Sequence, residues 1–240
     1  MEIKKDGVSL YYIIKEKLLE MIESGVYKPG EQLPTELDLC QKFDVSRTTI
    51  RLALNQLNLE GHIYKIQGKG TFISLPKIEQ SVLPYRGFKE QLRSRGAHIE
   101  TKVIQLTIVA ADKNLVKTLE IVERDPVFKL ERIRLVDDIP LLYSITYLPW
   151  KVTPGLTLEE CGGSLYEIMR TKFDIKLTRY TESLEPILID ETISKYLNTP
   201  VGAPAILLNT VTYAEENIPV QYSHEIVRGD RAKFTVERDL

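Results

Sequence analysis

The chain has few of the residues that most often announce chemistry. Its two cysteines, Cys40 and Cys161, lie far apart and match no metal or redox spacing. That excludes a disulfide framework and fits a protein of the reducing cytoplasm. Its three histidines, His62, His98 and His224, are scattered. No Ser-His-acid set, metal cluster or phosphate-binding glycine loop accompanies them, so neither a cofactor nor a metal is expected. The net charge is −2, which supplies no global basic field to attract nucleic acid; any such contact needs charge placed locally. There is no apolar run long enough to span a bilayer and no N-terminal segment of signal-peptide type. A soluble, cytoplasmic protein without a membrane partner is therefore expected. Internal repeats and low-complexity segments are absent too. What is present is 240 residues, 43% of them hydrophobic, enough to give one large domain or two small ones a core each.

The N-terminal third reads as three helices and a hairpin. In residues 9–25, Leu10, Ile13, Ile14, Leu18, Met21 and Ile22 recur at helical spacing, with Ser9 as a candidate N-cap and Gly25 as the stop. "YKPGEQLP" is a loop, and Thr35 with Asp38 forms a capping-box pattern for a short second helix ending near Phe43. Ser46 can cap a third helix from Arg47 to the Gly61 stop. On that helix Ile50, Ala53, Leu54 and Leu57 form one apolar stripe. Arg47, Arg51, Asn55 and Asn58 form a second, polar stripe that is cationic only at its start. Beyond Gly61 the period changes to two, with "HIYKI" and "TFIS" as short strands joined through "QGKG".

An amphipathic helix with two arginines on its wet face is common and can be plain solvated surface. Helix, helix, helix and basic hairpin within about 75 residues is a more specific order, that of a winged helix-turn-helix. Residues 1–76 carry ten Lys/Arg and ten Asp/Glu, yet no acid lies between Asp44 and Glu60, and none follows until Glu79. Positive charge is thus focused on the start of the third helix and on the hairpin. Arg can bond two acceptors on guanine, Thr can reach phosphates or a thymine methyl, and a helix N-terminus favours phosphate.

The stretch "LPTELDLCQKFDVSRTTIRLALNQLNLEGHIYKIQGKGTFIS" resembles the DNA-binding domain of GntR-type bacterial transcription regulators, over about residues 9–75. The resemblance implies that Arg47, Thr48, Thr49 and Arg51 contact double-stranded operator DNA, with Gly68, Lys69 and Gly70 as the wing tip. One position departs: the family's usual Arg after the Glu of its "LPSER" motif is Leu37 here.

Residues 76–84, with Pro76 and Pro84, lack helical periodicity and read as a linker. A helix, "YRGFKEQLRSRG", is expected next. Six strand patterns follow: "IETKVIQLTIV", "VFKLERIRLV", "IPLLYSITYLP", "LTRYTESLEPILI", "PAILLNTVTYA" and "IPVQYSHEIVRG". Between them lie helical segments "KNLVKTLEI", "SLYEIMRTKF" and "DETISKYLN". "VDDIP" and "EENIP" look like tight hairpin turns. Residues 85–240 are thus expected to form an α+β domain with a mainly antiparallel sheet.

In "FKLERIRLV", Phe128, Leu130, Arg132, Arg134 and Val136 share one face of a strand. Two arginines do not belong on a dry face. They either sit at a sheet rim paired with acids or line a cavity and hold an anion; about 7 Å apart, they suit a phosphate. "GGSLYEI" adds a helix start with free N–H groups, although Ser164 is also simply a good N-cap.

Residues 84–238 resemble the UTRA effector-binding domain of the HutC branch of the GntR family. The stretches carrying this are "RSRG", "ERIRLVDDIPL", "SLYEI", "LEP", "LNTVTY" and "VRGDR". The implied fold is similar to chorismate lyase, with a ligand pocket in place of an active site. The resemblance implies that a phosphate is held by Arg132, Arg134, Ser164 and Tyr166. Three family positions differ: a Ser is Gly87, a Glu that often follows "DIP" is Ser144, and the Tyr of "YRGDR" is Val227.

Three readings follow. The first is a ligand-controlled regulator, as a repressor released from a palindromic operator by a small anionic metabolite such as a sugar phosphate, acting as a homodimer through its effector domains. The same family could also sense a non-phosphorylated ligand. The second is an enzyme, suggested only by the lyase-like fold. The third is a constitutive DNA-binding protein whose larger domain serves only dimerisation.

Overall fold

The computed structural model describes residues 9–66, 68–74, 77–81 and 98–235. The chain divides into two compact units, Met1–Lys77 and Ile78–Leu240, taken in turn.

In the first unit, α1 (Leu10–Glu23), α2 (Glu36–Phe43) and α3 (Arg47–Leu59) precede an antiparallel hairpin of β1 (Ile63–Ile66) and β2 (Gly70–Ile73). The α1 stripe buries Ile14 and Leu18, whereas Leu10 at its start is 38% exposed. These meet Ile50, Ala53, Leu54 and Leu57 of α3, with Leu39, Ile63 and Ile73 completing the core. Ser9 has the extended backbone of an N-cap, but its side chain makes no capping hydrogen bond. Thr35 and Asp38 do form the reciprocal capping box of α2. The Ser46 hydroxyl accepts from the Thr49 N–H and caps α3. Lys15, nearly buried on α1, reaches Glu60 past the end of α3 at 3.0 Å and ties the two helices together.

The second unit is built on a six-stranded antiparallel sheet in the order β4-β5-β6-β9-β8-β7. Its strands are β4 (Ile99–Ala110), β5 (Pro126–Val136), β6 (Ile139–Pro149), β7 (Leu177–Leu188), β8 (Pro204–Ala214) and β9 (Pro219–Arg228). All six strand patterns are realised. Helices α4 (Lys113–Leu119), α5 (Leu165–Lys172) and α6 (Glu191–Leu197) fill the three expected places. Both tight turns are present. Asp137 and Asp138 adopt positive φ, as a two-residue hairpin requires, and so do Glu216 and Asn217.

Two short strands were not expected. β3 (Ile78–Ser81) lies inside the stretch read as linker, and it pairs in parallel with β10 (Ala232–Thr235) near the other end of the unit. Four residues are too few to show a period, and a partner some 150 residues away leaves no local turn signal. The helix expected over residues 85–96, with Gly87, lies outside the described residues.

The two sheet faces bury different groups. On one, Phe128, Leu130 and Leu148 pack against Leu165 and Met169 of α5 and against Leu156 and Cys161 of the preceding loop. On the other, α4 covers Val127 and Tyr222, and α6 covers Tyr143 and Ala205. The "VRGDR" motif is structural. Arg228 makes a two-pronged contact with Asp230 at 3.0 and 2.6 Å and donates to the carbonyls of Pro140 and Leu197. A side chain on Gly229 would meet the Pro204 carbonyl oxygen at 2.8 Å.

Among the described residues, no helix is long and apolar enough to cross a membrane, and no group of three or more His, Cys, Asp or Glu is placed to hold a metal ion.

Candidate DNA surface and effector site

In the first unit the nominated residues fall on one helix start and one hairpin tip. Arg47, Thr48 and Arg51 are exposed on the first turns of α3, while Thr49 is partly covered because its hydroxyl lies 2.9 Å from the Ser46 oxygen. The Arg47 guanidinium, 76% exposed, is held by Glu36 of α2 at 2.9 Å. Gly68, Lys69 and Gly70 are all exposed at the hairpin tip. The tip is anchored from outside the hairpin, because the Gln32 side-chain amide donates to the Lys69 carbonyl at 2.8 Å. Gly70 has φ +126, and a Cβ there would lie 2.4 Å from the Gln32 amide nitrogen. Glycine is thus required both by the backbone and by the anchor. Lys65 on β1 donates to Asn55 of α3 at 2.8 Å and joins hairpin to helix. Leu37, at the position where the motif usually has Arg, is 66% exposed.

In the second unit, the sheet register sets side chains in rows. Cross-strand partners in an antiparallel sheet point to the same face, with strands about 4.8 Å apart. One row runs Arg132, Ser144, Glu225, Leu208 and Leu184 across β5, β6, β9, β8 and β7. The next runs Leu130, Thr146, Ser223, Thr210 and Glu182. Thr212 and Gln221 pair beyond it.

A face this deeply covered ordinarily carries apolar residues. Here Arg132, Ser144, Thr146, Thr210, Thr212, Gln221 and Ser223 are all buried. Several are not satisfied. Arg132, 2% exposed, spends one terminal nitrogen on the Cys161 and Gly163 carbonyls at 3.3 and 3.4 Å. Its Nε has no hydrogen-bond partner, nor do the Ser144 hydroxyl and the Gln221 carbonyl oxygen. Each such orphan costs about 1–3 kcal/mol when left dry. Burial, with the neighbouring Arg134 charge, pushes the Arg132 guanidinium down to about 10, while the Glu225 charge opposes this.

The nominated effector residues converge. The 3-10 turn Glu160–Gly162 and Gly163 bring the Cys161 and Gly163 carbonyls onto Arg132 and lead directly into Ser164, which caps α5 by accepting from the Glu167 N–H. In the first turn of α5, the Tyr166 hydroxyl lies 3.3 Å from the Thr212 hydroxyl. Burial raises the Tyr166 phenol above its usual range; it also feels the charges of Glu225, Arg134 and Glu182. The rim reading of the two arginines fails for Arg132, which is buried and makes no ion pair among the described residues. A bulge after Arg134 shifts the pairing with β6, so that Leu135 and Val136 are both buried and Val136 joins a different cluster.

Most of this wall is not singled out by the sequence. Its signal was nevertheless present, as polar residues at every second place in three strands: Ser144 and Thr146, Thr210 and Thr212, and Gln221, Ser223 and Glu225. That pattern ordinarily marks a solvated face. Here all of them except the half-buried Glu225 are buried, and the Tyr166 hydroxyl of α5 reaches Thr212.

The family described as bacterial regulatory proteins, gntR family, matches residues 10–73, and the UTRA domain matches residues 94–233. The chain is 32% identical over 228 residues to the uncharacterized HTH-type transcriptional regulator YurK of Bacillus subtilis, covering 95% of this chain and 94% of that protein. It is 30% identical to the probable fructoselysine utilization operon transcriptional repressor of Escherichia coli, with 95% and 94% covered. The crystal structure of PhnF from Mycobacterium smegmatis superposes with a TM-score of 0.67 at 27% identity, over 94% of this chain and 99% of that one.

Proposed function

Since the chain belongs to the GntR family of bacterial regulatory proteins and carries a UTRA domain, and so is a ligand-responsive transcriptional repressor rather than an enzyme, we propose that its effector is a small anionic metabolite, such as a sugar phosphate, bound by Arg132, Arg134, Ser164 and Tyr166. One observation carries this reading: a buried Arg132 with an unpartnered Nε, in register with the unpartnered Ser144 hydroxyl. A guanidinium held dry beside a second arginine and without a carboxylate partner is short of negative charge. A phosphate supplies that charge and accepts several hydrogen bonds at once. The partial positive charge at the start of α5 adds to the attraction. The relative named for fructoselysine utilization supports an effector of sugar type.

The DNA-facing residues in this reading are Arg47, Thr48, Thr49 and Arg51, which read the major groove, and Gly68, Lys69 and Gly70, which follow the adjacent backbone or minor groove. The protein acts as a homodimer on a palindromic site, since a two-fold protein reads a two-fold sequence. Effector binding favours a geometry in which the two DNA-binding heads no longer match the half-site spacing.

The experiment is a thermal-melt panel of the full chain with sugar phosphates beside the matching unphosphorylated sugars. A ligand at a hundred times its Kd adds about 2.7 kcal/mol, a shift of several degrees for a unit of this size. A shift with phosphorylated compounds alone supports the arginine clamp. A shift indifferent to phosphate, or none across the panel, overturns it.

A further inference from the structure

Between the anion clamp and the far edge of the sheet, the same wall carries charge of the opposite sign. Arg132, Ser144 and Glu225 are consecutive in one row, so the arginine and the glutamate stand two strands apart with only Ser144 between them. Two strand spacings amount to about 9.6 Å. Serine is too short to bridge that distance, and its hydroxyl, on a fully buried residue, has no partner. Among the described residues no hydrogen bond or ion pair reaches the Glu225 carboxylate, even though its charge is close enough to act on the Arg132 guanidinium. One row over, Glu182 accepts from the Thr210 hydroxyl at 2.8 Å.

We propose that Glu225, assisted by Glu182, is a cation-recognising pole of this site, so that the effector carries a protonated amine as well as the anionic group that Arg132 and Arg134 hold. This rests on the anion clamp of the preceding subsection and adds the character of the ligand's other end. The geometry asks for it: a guanidinium and a carboxylate face each other across an unsatisfied serine and do not meet. A zwitterion laid along the row satisfies all three.

Burial raises the Glu182 carboxyl above its usual range, and the Glu225 charge adds a smaller push in the same direction. A cation between the two would stabilise both ionised forms. The glutamate frequent at position 144 in the domains this region resembles is Ser144 here. The carboxylate at this level of the wall enters instead from the neighbouring strand, at position 225.

The test uses the full chain and two matched pairs of phosphates that differ only at the far end. The short pair is O-phosphoethanolamine against 2-hydroxyethyl phosphate. The longer pair is glucosamine 6-phosphate against glucose 6-phosphate. Dissociation constants are measured by calorimetry for the unaltered protein and for Glu225→Gln. In at least one pair the amine is expected to bind roughly tenfold tighter than its hydroxyl counterpart, as a charge-assisted contact implies. Glu225→Gln should abolish that preference and tighten the hydroxyl compound. Equal binding within both pairs, or an amine preference that survives Glu225→Gln, overturns the cationic pole and leaves the anion clamp standing. Failure of all four phosphates to bind at millimolar concentration removes the clamp, and the pole with it. If Glu225→Gln does not fold, Glu182→Gln at the same pole carries the same comparison.

Discussion

Arg47, the first residue of α3, gives its Nε to the Glu36 carboxylate of α2 at 2.9 Å. An exposed pair of this kind contributes only about 0–1 kcal/mol to stability. Its consequence is orientation, since it holds a long, mobile guanidinium at the helix start before any DNA arrives. Replacing Arg47 or Arg51 with Ala should weaken binding by about 1–3 kcal/mol each if they read bases. Glu36→Gln should alter affinity less and leave the melting temperature nearly unchanged. Fluorescence anisotropy on a DNA site selected by the protein from random sequence measures all three. Unaltered affinity in both arginine variants would remove α3 from the DNA surface.

The wing makes a separate prediction. Lys69→Ala should lower the salt dependence of binding by about one phosphate contact. Gly70→Ala should do more harm than Lys69→Ala, because its new methyl would meet the Gln32 amide and displace the tip. The first unit should keep its fold in both, since neither residue belongs to its core. Salt titrations of DNA affinity, with circular dichroism as the fold control, separate the two effects.

For the effector unit, Arg132→Ala should abolish the thermal shift given by a phosphorylated ligand while DNA affinity without ligand stays within about threefold, a difference under 1 kcal/mol. Arg132→Lys should restore little, because an ammonium cannot match a planar two-pronged contact. Loss of DNA binding in both variants would assign Arg132 to holding the loop at Cys161 and Gly163 in place rather than to ligand.

The opposite sheet face predicts a pH effect. His224 is hydrogen-bonded to Asn209 and lies beside Tyr222 and Tyr147. Burial holds its imidazole below the ordinary value of 6.5. The unfolded chain therefore takes up this proton more readily than the folded one. The His224 contribution is complete above about pH 6.5 and is lost as pH falls from there toward the folded value. His224→Gln should flatten the fall in melting temperature between pH 6.5 and 5. A slope that persists in that variant places its origin elsewhere.

Particular residues show what the sequence disclosed and what it withheld. The α3 stripe of Ile50, Ala53, Leu54 and Leu57 is fully buried, as its spacing implied. All six sheet strands were legible because each runs ten residues or more with turn residues at its ends. Arg132 and Arg134 stood out because charge on an apolar strand face is rare. Ser144 and Glu225, by contrast, lie 81 positions apart, and nothing local reveals that β6 pairs with β9. Sheet neighbours distant in sequence are set by global topology. The pairing of β3 with β10 was hidden for the same reason.

That distance also sets an order of events during synthesis. The surface nominated for DNA closes with β2, at Ile73. The row of Arg132, Ser144 and Glu225 exists only after β9 has been made and has paired with β6. At about 5–20 residues per second, the ribosome needs roughly 8–30 seconds for the intervening 150 residues. A growing polypeptide thus presents its DNA-facing surface well before it has any means of sensing a metabolite, and newly made molecules pass through a period in which no effector can act on them.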